Sequence, residues 1–277
     1  MAHPLDGPRL KVARAREHLD ALDREVRAFS DSKPYELISE VDPETGDYVY
    51  RLHLNWPGAR PPDHLSLIAG DIVHNLRTSL DYVVWQLAEL GRGANFTIQF
   101  PLIENPDQQK YREMETNLLD PILARHRALI KGLQPYHVHL AIEAGAAIPS
   151  PNQALLLVGR LDNWDKHRLL LPTHSLVAFK PPTFRNLRTA QVHSRAQWFG
   201  MKEGTELFRI TDIEAQDPNA KVEVESRLPY SINFGDPTVP PETVPKGRDQ
   251  VVASWYDLEL ITDQVSAVVE SFAPEFP

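Results

Sequence analysis

Apolar residues recur along this chain at two different periods, and the switch between them marks out its elements. Over residues 8–29, Val12, Ala15, Leu19, Leu22, Val26 and Phe29 fall at three- and four-residue steps between charged flanks, which predicts a helix with one narrow apolar seam. Residues 35–41 and 48–54 alternate instead, and the Pro- and Gly-containing run 42–47 between them predicts a hairpin. Residues 57–62 read as a loop ending at Asp63, a helix cap. A long helix is predicted from Leu65 to about Leu90, stopped by Gly91-Arg-Gly93. A short extended piece around Pro101 (96–103) comes next, then two weaker helices over 107–118 and 121–133, the second ended by Pro135. Residues 137–151 read as irregular, and Asn152 as the cap of a helix reaching about Leu171, where Pro172 stops it.

Beyond Ser175 the pattern turns to short β-type runs at 176–179, 187–193, 206–210 and 221–225, with a Pro-rich loop over 236–249. A last helix is predicted over 251–272, with Val251, Trp255, Leu258, Thr262, Val265, Val269 and Phe272 on one seam. Neither terminal helix can be stable with a single stripe to bury, so both are expected to pack on the central helices. The predicted fold is α+β, a bundle of four to five helices with an N-terminal β-hairpin and a small antiparallel sheet from the C-terminal half. It is read as one domain over 1–277. The helical part covers 1–172 plus 249–273, and 173–248 is a β-rich insertion.

Composition adds bounds. With 277 residues, 42% hydrophobic and 24% charged, the chain can bury a core. It has no cysteine, which excludes disulfides, thiolate metal sites and a thiolate nucleophile and fits a cytoplasmic location. The first residues lack the basic-then-apolar pattern of a signal peptide, and no apolar run approaches the ~20 residues of a membrane helix. No membrane association is expected. The formal charge of −9 argues against a broad basic face for nucleic acid, while leaving room for a local basic site.

Two segments carry polar groups of an unusual kind. On the helix from Leu65, 100° steps place Ile68, Ile72, Val73, Leu76, Leu80, Val83, Val84 and Leu87 on one broad face. The opposite face presents Asp71, His74, Asn75, Arg77, Thr78, Asp81, Tyr82 and Trp85, with no lysine or glutamate between Leu65 and Ala88. Short hydrogen-bonding groups, one arginine and two large aromatics are types enriched at sites and interfaces. The second segment begins apolar all round and then turns into Arg160-Leu-Asp-Asn-Trp-Asp-Lys-His-Arg168.

If the two polar faces meet, Asp71, His74, Arg77, Asp81, Asn163, Asp165, His167 and Arg168 surround one spot. Arginines there can bind phosphate, and a histidine beside a carboxylate can run acid–base chemistry. The bland alternative is a polar network that only holds helices in place, with Lys166, His167 and Arg168 satisfying a helix C-terminus. A metal is not expected, since no His-Glu-x-x-His spacing occurs and arginines crowd a cation. No cofactor is expected either, because phosphate-loop and dinucleotide-loop patterns are absent. Gly-x-Ser-x-Gly is absent too, which sets aside serine hydrolases of that kind. His137 and His139 sit in the irregular region and read as loop residues.

The run Gly70-Asp-Ile-Val-His-Asn-Leu-Arg-Thr-Ser-Leu-Asp-Tyr-Val-Val-Trp-Gln-Leu87, together with Asp165-Lys-His-Arg168, resembles a family of uncharacterised, mainly actinobacterial proteins. That resemblance implies no activity. A more distant one is to the HEPN superfamily, helical bundles that often act as metal-independent ribonucleases across a homodimer. Their signature is an arginine followed, after four to six residues, by a histidine on the same helix. Arg160-x6-His167 meets the spacing, whereas Arg77 is followed at the shortest spacing by Tyr82. The resemblance implies His167 as acid or base, with Arg160 or Arg77 stabilising phosphate charge; His74 and Asp81, from the polar face of the long helix, are candidate catalytic residues beside them. Asp71, Asn75, Tyr82, Trp85, Asn163, Asp165, Lys166 and Arg168 would then bind the ligand, RNA or a small anion. Three functions fit these residues: a ribonuclease of toxin or defence type, a non-catalytic binding or regulatory protein with a polar pocket, and another enzyme using the same Asp/His/Arg site.

Overall fold

A computed structural model describes residues 3–57, 59–105, 113, 119–148, 150–168, 170–176, 183–194, 202–215, 223–225, 230–235 and 252–276. The protein is mixed α+β, with six α-helices among those residues. The chain divides into two compact units, one formed by 1–23, 66–170 and 251–277 and the other by 24–65 and 171–250.

The first unit is helical. It takes the opening turns of α1 (Asp6–Asp31), nearly all of α2 (His64–Glu89), then α3 (Ala124–Gly132), α4 (Tyr136–Glu143), α5 (Ser150–Asp165) and α6 (Trp255–Ser271). The apolar seam of α1 is buried at Val12, Ala15, Leu19 and Leu22, and the broad face of α2 is buried from Leu65 to Ala88. Helix α5 packs on α6 and α4 on α5. Arg9 and Arg16 of α1 pair with Glu270 and Asp263 of α6, each at 2.8 Å. The two terminal helices are therefore side by side. Among the described residues no helix is long and apolar enough to cross a membrane.

The second unit holds β1 (Tyr35–Val41), β2 (Tyr48–Leu54), β3 (Leu171–Leu176), β4 (Thr183–Arg185), β5 (Leu187–Ser194), β6 (Glu206–Ala215), β7 (Glu223–Glu225) and β8 (Tyr230–Gly235). The hairpin β1–β2 does not stand apart. Strand β2 pairs antiparallel with β6, and β6 with β5, in the order β1-β2-β6-β5. Val49, Tyr50, Leu52, Leu207, Phe208 and Ile210 are buried there, and the rings of Tyr50 and Phe208 stack 4.3 Å apart. Burial pushes the Tyr50 hydroxyl up to about 12. Arg209 closes the hairpin turn, donating to Asp42 at 2.8 Å and Asp47 at 3.1 Å.

Three expectations change. The helix expected from Asn152 to Leu171 starts at Ser150 and ends at Asp165, and Leu171 already opens β3. Pro172 lies inside that strand, opposite Phe234. Asn152 does not cap its own helix; its amide donates to the carbonyls of Gly132 at 2.9 Å and Gln134 at 3.0 Å, past the end of α3. Residues 136–143, expected to be irregular, form α4, with His137 and His139 on it, because Pro135 opens a helix instead of only ending one. At the C-terminal end, Val252–Ser254 is extended (β9) and α6 begins at Trp255. Ser254 is its cap: the Asp257 amide donates to Ser254 Oγ at 3.1 Å and the Ser254 amide to Asp257 Oδ2 at 2.7 Å. The helix expected over 107–118 and the loop over 236–249 lie outside the described residues, Glu113 excepted.

Just past the end of α2 the chain is tightly packed at Gly91. A β-carbon at Gly91 would stand 2.0 Å from the carbonyl oxygen of Pro121, which accepts from the Arg92 amide at 3.0 Å. Gly91→Ala therefore forces backbone apart and is expected to destabilise the protein by roughly 1–3 kcal/mol in urea unfolding, as overpacking does. An unchanged midpoint would show that the contact is not tight.

Candidate functional site

The polar faces of α2 and α5 meet within the helical unit. Gly70 allows the approach: its missing β-carbon leaves room for the Asp165 carboxylate, whose oxygens lie 2.6 and 2.7 Å from where that carbon would be. Gly159 does the same on α5, where an added β-carbon would come within 3.2 Å of the Leu102 side chain. Residues 99–105 run beside both helices without belonging to a helix or a sheet themselves.

A segment outside helix and sheet must find other partners for its backbone. Side chains supply most of them here. Arg77 Nη2 donates to the Phe100 carbonyl at 2.7 Å, and the Phe100 amide donates to Asp81 Oδ1 at 2.8 Å. Arg77 and Asp81 also pair with each other at 3.1 Å, one helical turn apart. Three residues on, the Ile103 amide donates to the side-chain oxygen of buried Gln134 at 3.1 Å, and the Ile103 carbonyl accepts from the Tyr136 amide at 2.9 Å. The Phe100 side chain, held by this clamp, is fully buried.

Between this segment and α5 lies a cleft of about 620 Å³. Arg77, Glu104, Arg160, Asp162, Asn163, Trp164 and Lys166 line it with the backbone of residues 99–105. Its charges come in pairs. Arg160 reaches Glu104 through two nitrogens at 3.0 and 2.9 Å, and Lys166 reaches Asp162 at 2.7 Å. Arg160 and Asp162 are mostly covered, whereas the Lys166 side chain is 57% exposed.

The expected site residues therefore separate into groups. Arg77, Arg160, Asn163 and Lys166 come together on the cleft. Asp81 adjoins it, and burial raises its carboxyl above the ordinary value, against the pull of Arg77 and of the Phe100 amide. Asp71 and His74 form a second neighbourhood with Asp165. Burial raises the Asp165 carboxyl, Asp162 and Asp71 push the same way, and His74 opposes them. Asn75 points elsewhere, donating to the Asp71 carbonyl at 2.8 Å and accepting from Lys11 of α1 at 3.4 Å. Tyr82 and Trp85 lie one turn further along α2, around a pocket of about 350 Å³ shared with Asp81, Gln86 and Ile98.

His167 and Arg168 lie beyond the helix end. The turn after Asp165 carries both into solvent, and Arg168 stacks over the Trp164 ring at 5.4 Å. The described lining of the cleft does not include His167. The expectation that Arg160 and His167 stand on the same helix is corrected, because α5 ends before His167. Among the described residues, no group of three or more His, Asp or Glu is arranged to hold a metal ion. Sequence reasoning missed Glu104, Phe100 and Gln134. Nothing local marks them, since each matters through a partner distant in the chain; only the extended run around Pro101 hinted at the segment.

Two outcomes follow from this geometry. Arg77→Ala removes the donor to the Phe100 carbonyl and leaves Asp81 half-buried without its cation. A loss of roughly 1.5–3 kcal/mol is expected in chemical unfolding, the usual range for hydrogen bonds to charged groups. A loss below about 0.5 kcal/mol, as for an ordinary surface substitution, would show the clamp to be unimportant. Asp165 behaves oppositely. With its folded-state value raised, the folded chain holds more protons than the unfolded one between the ordinary and the raised value, so stability falls as pH rises through that window. Asp165→Asn should be the more stable protein at neutral pH, and its advantage should shrink as pH drops below the window; a constant difference at all pH values would contradict this. In comparisons with known protein families, curated proteins and solved structures, the chain matches none.

Proposed function

We propose that this protein is a non-catalytic binding or regulatory protein whose cleft between α5 and residues 99–105 holds a small ligand bearing a carboxylate or phosphate. The observation that carries this reading is the gathering of Arg77, Arg160 and Lys166 on one cleft of about 620 Å³, in a chain of formal charge −9. That volume falls within the ~300–1,000 Å³ of small-molecule sites. Among the described residues, two carboxylates, Glu104 and Asp162, line the cleft beside those three cations. Lys166 is the most exposed member, and its ammonium has donors to share with an entering anion while one stays on the mostly covered Asp162. Asn163 adds a neutral amide that can fix a ligand's orientation.

A ribonuclease of the HEPN kind keeps one observation in its favour: His167 is exposed just past the end of α5, open to an external RNA strand. It ranks second because Arg160, its partner in the motif, is engaged twice by Glu104 and lies on the cleft.

A thermal-shift screen of small carboxylates and phosphate esters tests the first reading. At least one compound should raise the unfolding midpoint, by the equivalent of about 2.7 kcal/mol at a hundred times its dissociation constant. Lys166→Ala and Arg160→Ala should abolish the shift. Incubation with mixed RNA in EDTA should give no cleavage. A panel without a stabilising member, or RNA cleavage lost in His167→Ala, would overturn the reading.

A further inference from the structure

The second pocket on α2 differs in chemistry from the polar cleft. Tyr82, Trp85 and Gln86 lie at three- and four-residue steps on one stripe of the helix, with Asp81 beside them and Ile98 opposite, around about 350 Å³. Tyr82 and Trp85 are partly exposed, and Phe96, whose ring centre lies 6.3 Å from that of Trp85, is fully exposed. Two aromatic rings on a pocket and a third at its lip form an unusual surface for a protein to leave open.

The only formal charge on the described lining is the Asp81 carboxylate. Both of its structural contacts, from Arg77 and from the Phe100 amide, fall on Oδ1. Oδ2 has no hydrogen bond among the described residues, and the side chain keeps 31% of its exposure. A positive charge in the pocket would also offset the burial that holds the Asp81 carboxyl above its ordinary value.

We infer that this pocket receives the alkylated ammonium group of a small organic cation, seated against the rings of Tyr82 and Trp85 and paired with Oδ2 of Asp81. Aromatic faces attract cations through their quadrupoles, and the attraction is strongest for weakly hydrated ions that give up water easily. A hard metal ion would need about six or more oxygen ligands, and the side chains of the described lining offer one carboxylate, one amide and one phenol. A nucleotide would bring its phosphate toward a carboxylate in an acidic protein. A quaternary or methylated amine meets neither obstacle. Phe96 stands where it can cover such a ligand and lose its own exposure to water. This inference does not rest on the anion cleft, whose described lining shares no residue with this pocket.

The test is calorimetric titration of the full chain with choline and tetramethylammonium, beside 3,3-dimethylbutan-1-ol, a neutral molecule shaped like choline. Both cations should bind saturably, and the alcohol at least about tenfold more weakly. Trp85→Leu and Asp81→Asn should each weaken choline binding by about tenfold or more. Both variants should keep their circular dichroism: position 85 is open to solvent, and an asparagine oxygen can still accept from the Phe100 amide. Absence of saturable binding by either cation would overturn the inference, as would equal binding of the alcohol or unchanged affinity in folded Trp85→Leu.

Discussion

Backbone groups that leave a helix or sheet still need partners, and in the helical unit that need is met at Phe100 by a charged pair. Arg77 and Asp81, one turn apart on α2, take the carbonyl and the amide of the same residue, as a neighbouring strand would. The ion pair between them aligns both groups, so each supports the other's hydrogen bond. Once Phe100 is held, its ring enters the core and residues 101–105 are led along α5. Gln134 and Tyr136 repeat the device at Ile103. Both candidate binding regions flank this one segment. The polar cleft opens beside residues 99–105, and the aromatic pocket is closed on one side by Ile98.

The clamp also divides the labour of α2. Arginine and aspartate on a polar helix face invite a catalytic reading, yet here both side chains are occupied in placing main chain. What remains available around them are the groups with spare capacity: Lys166 on the cleft, Oδ2 of Asp81 and the rings of Tyr82 and Trp85 in the pocket. The two regions have opposite electrostatic character, one with a surplus of cations and one with a lone carboxylate. The ion pair Arg77–Asp81 lies at their boundary, its arginine on the cleft and its aspartate on the pocket.

The sequence by itself determined the elements whose signals are local. The seam of α1, the broad apolar face of α2 and the alternation of β1 and β2 are periodicities of neighbouring residues; all four elements stand close to the expected bounds, although burial along the two strands does not alternate. The density of short polar groups on α2 and at the end of α5 marked the right two segments to bring together. Where local signals were ambiguous the reading slipped: Pro135 served as a helix start, Asn152 bonded a neighbouring helix instead of its own, and the charged run 160–168 left the helix at Asp165.

Tertiary structure alone decided what the polar groups do. Arg77 bonds the carbonyl of Phe100, twenty-three positions away, and Arg160 pairs with Glu104, fifty-six positions away. Strand β2 joins β6 across more than half of the chain, drawing the hairpin into the second unit. Such partners meet only when buried apolar faces have brought their elements together. A side chain's charge is written in its own residue, but whether that charge is spent on backbone, on a neighbouring ion or on a ligand depends on what packing sets beside it.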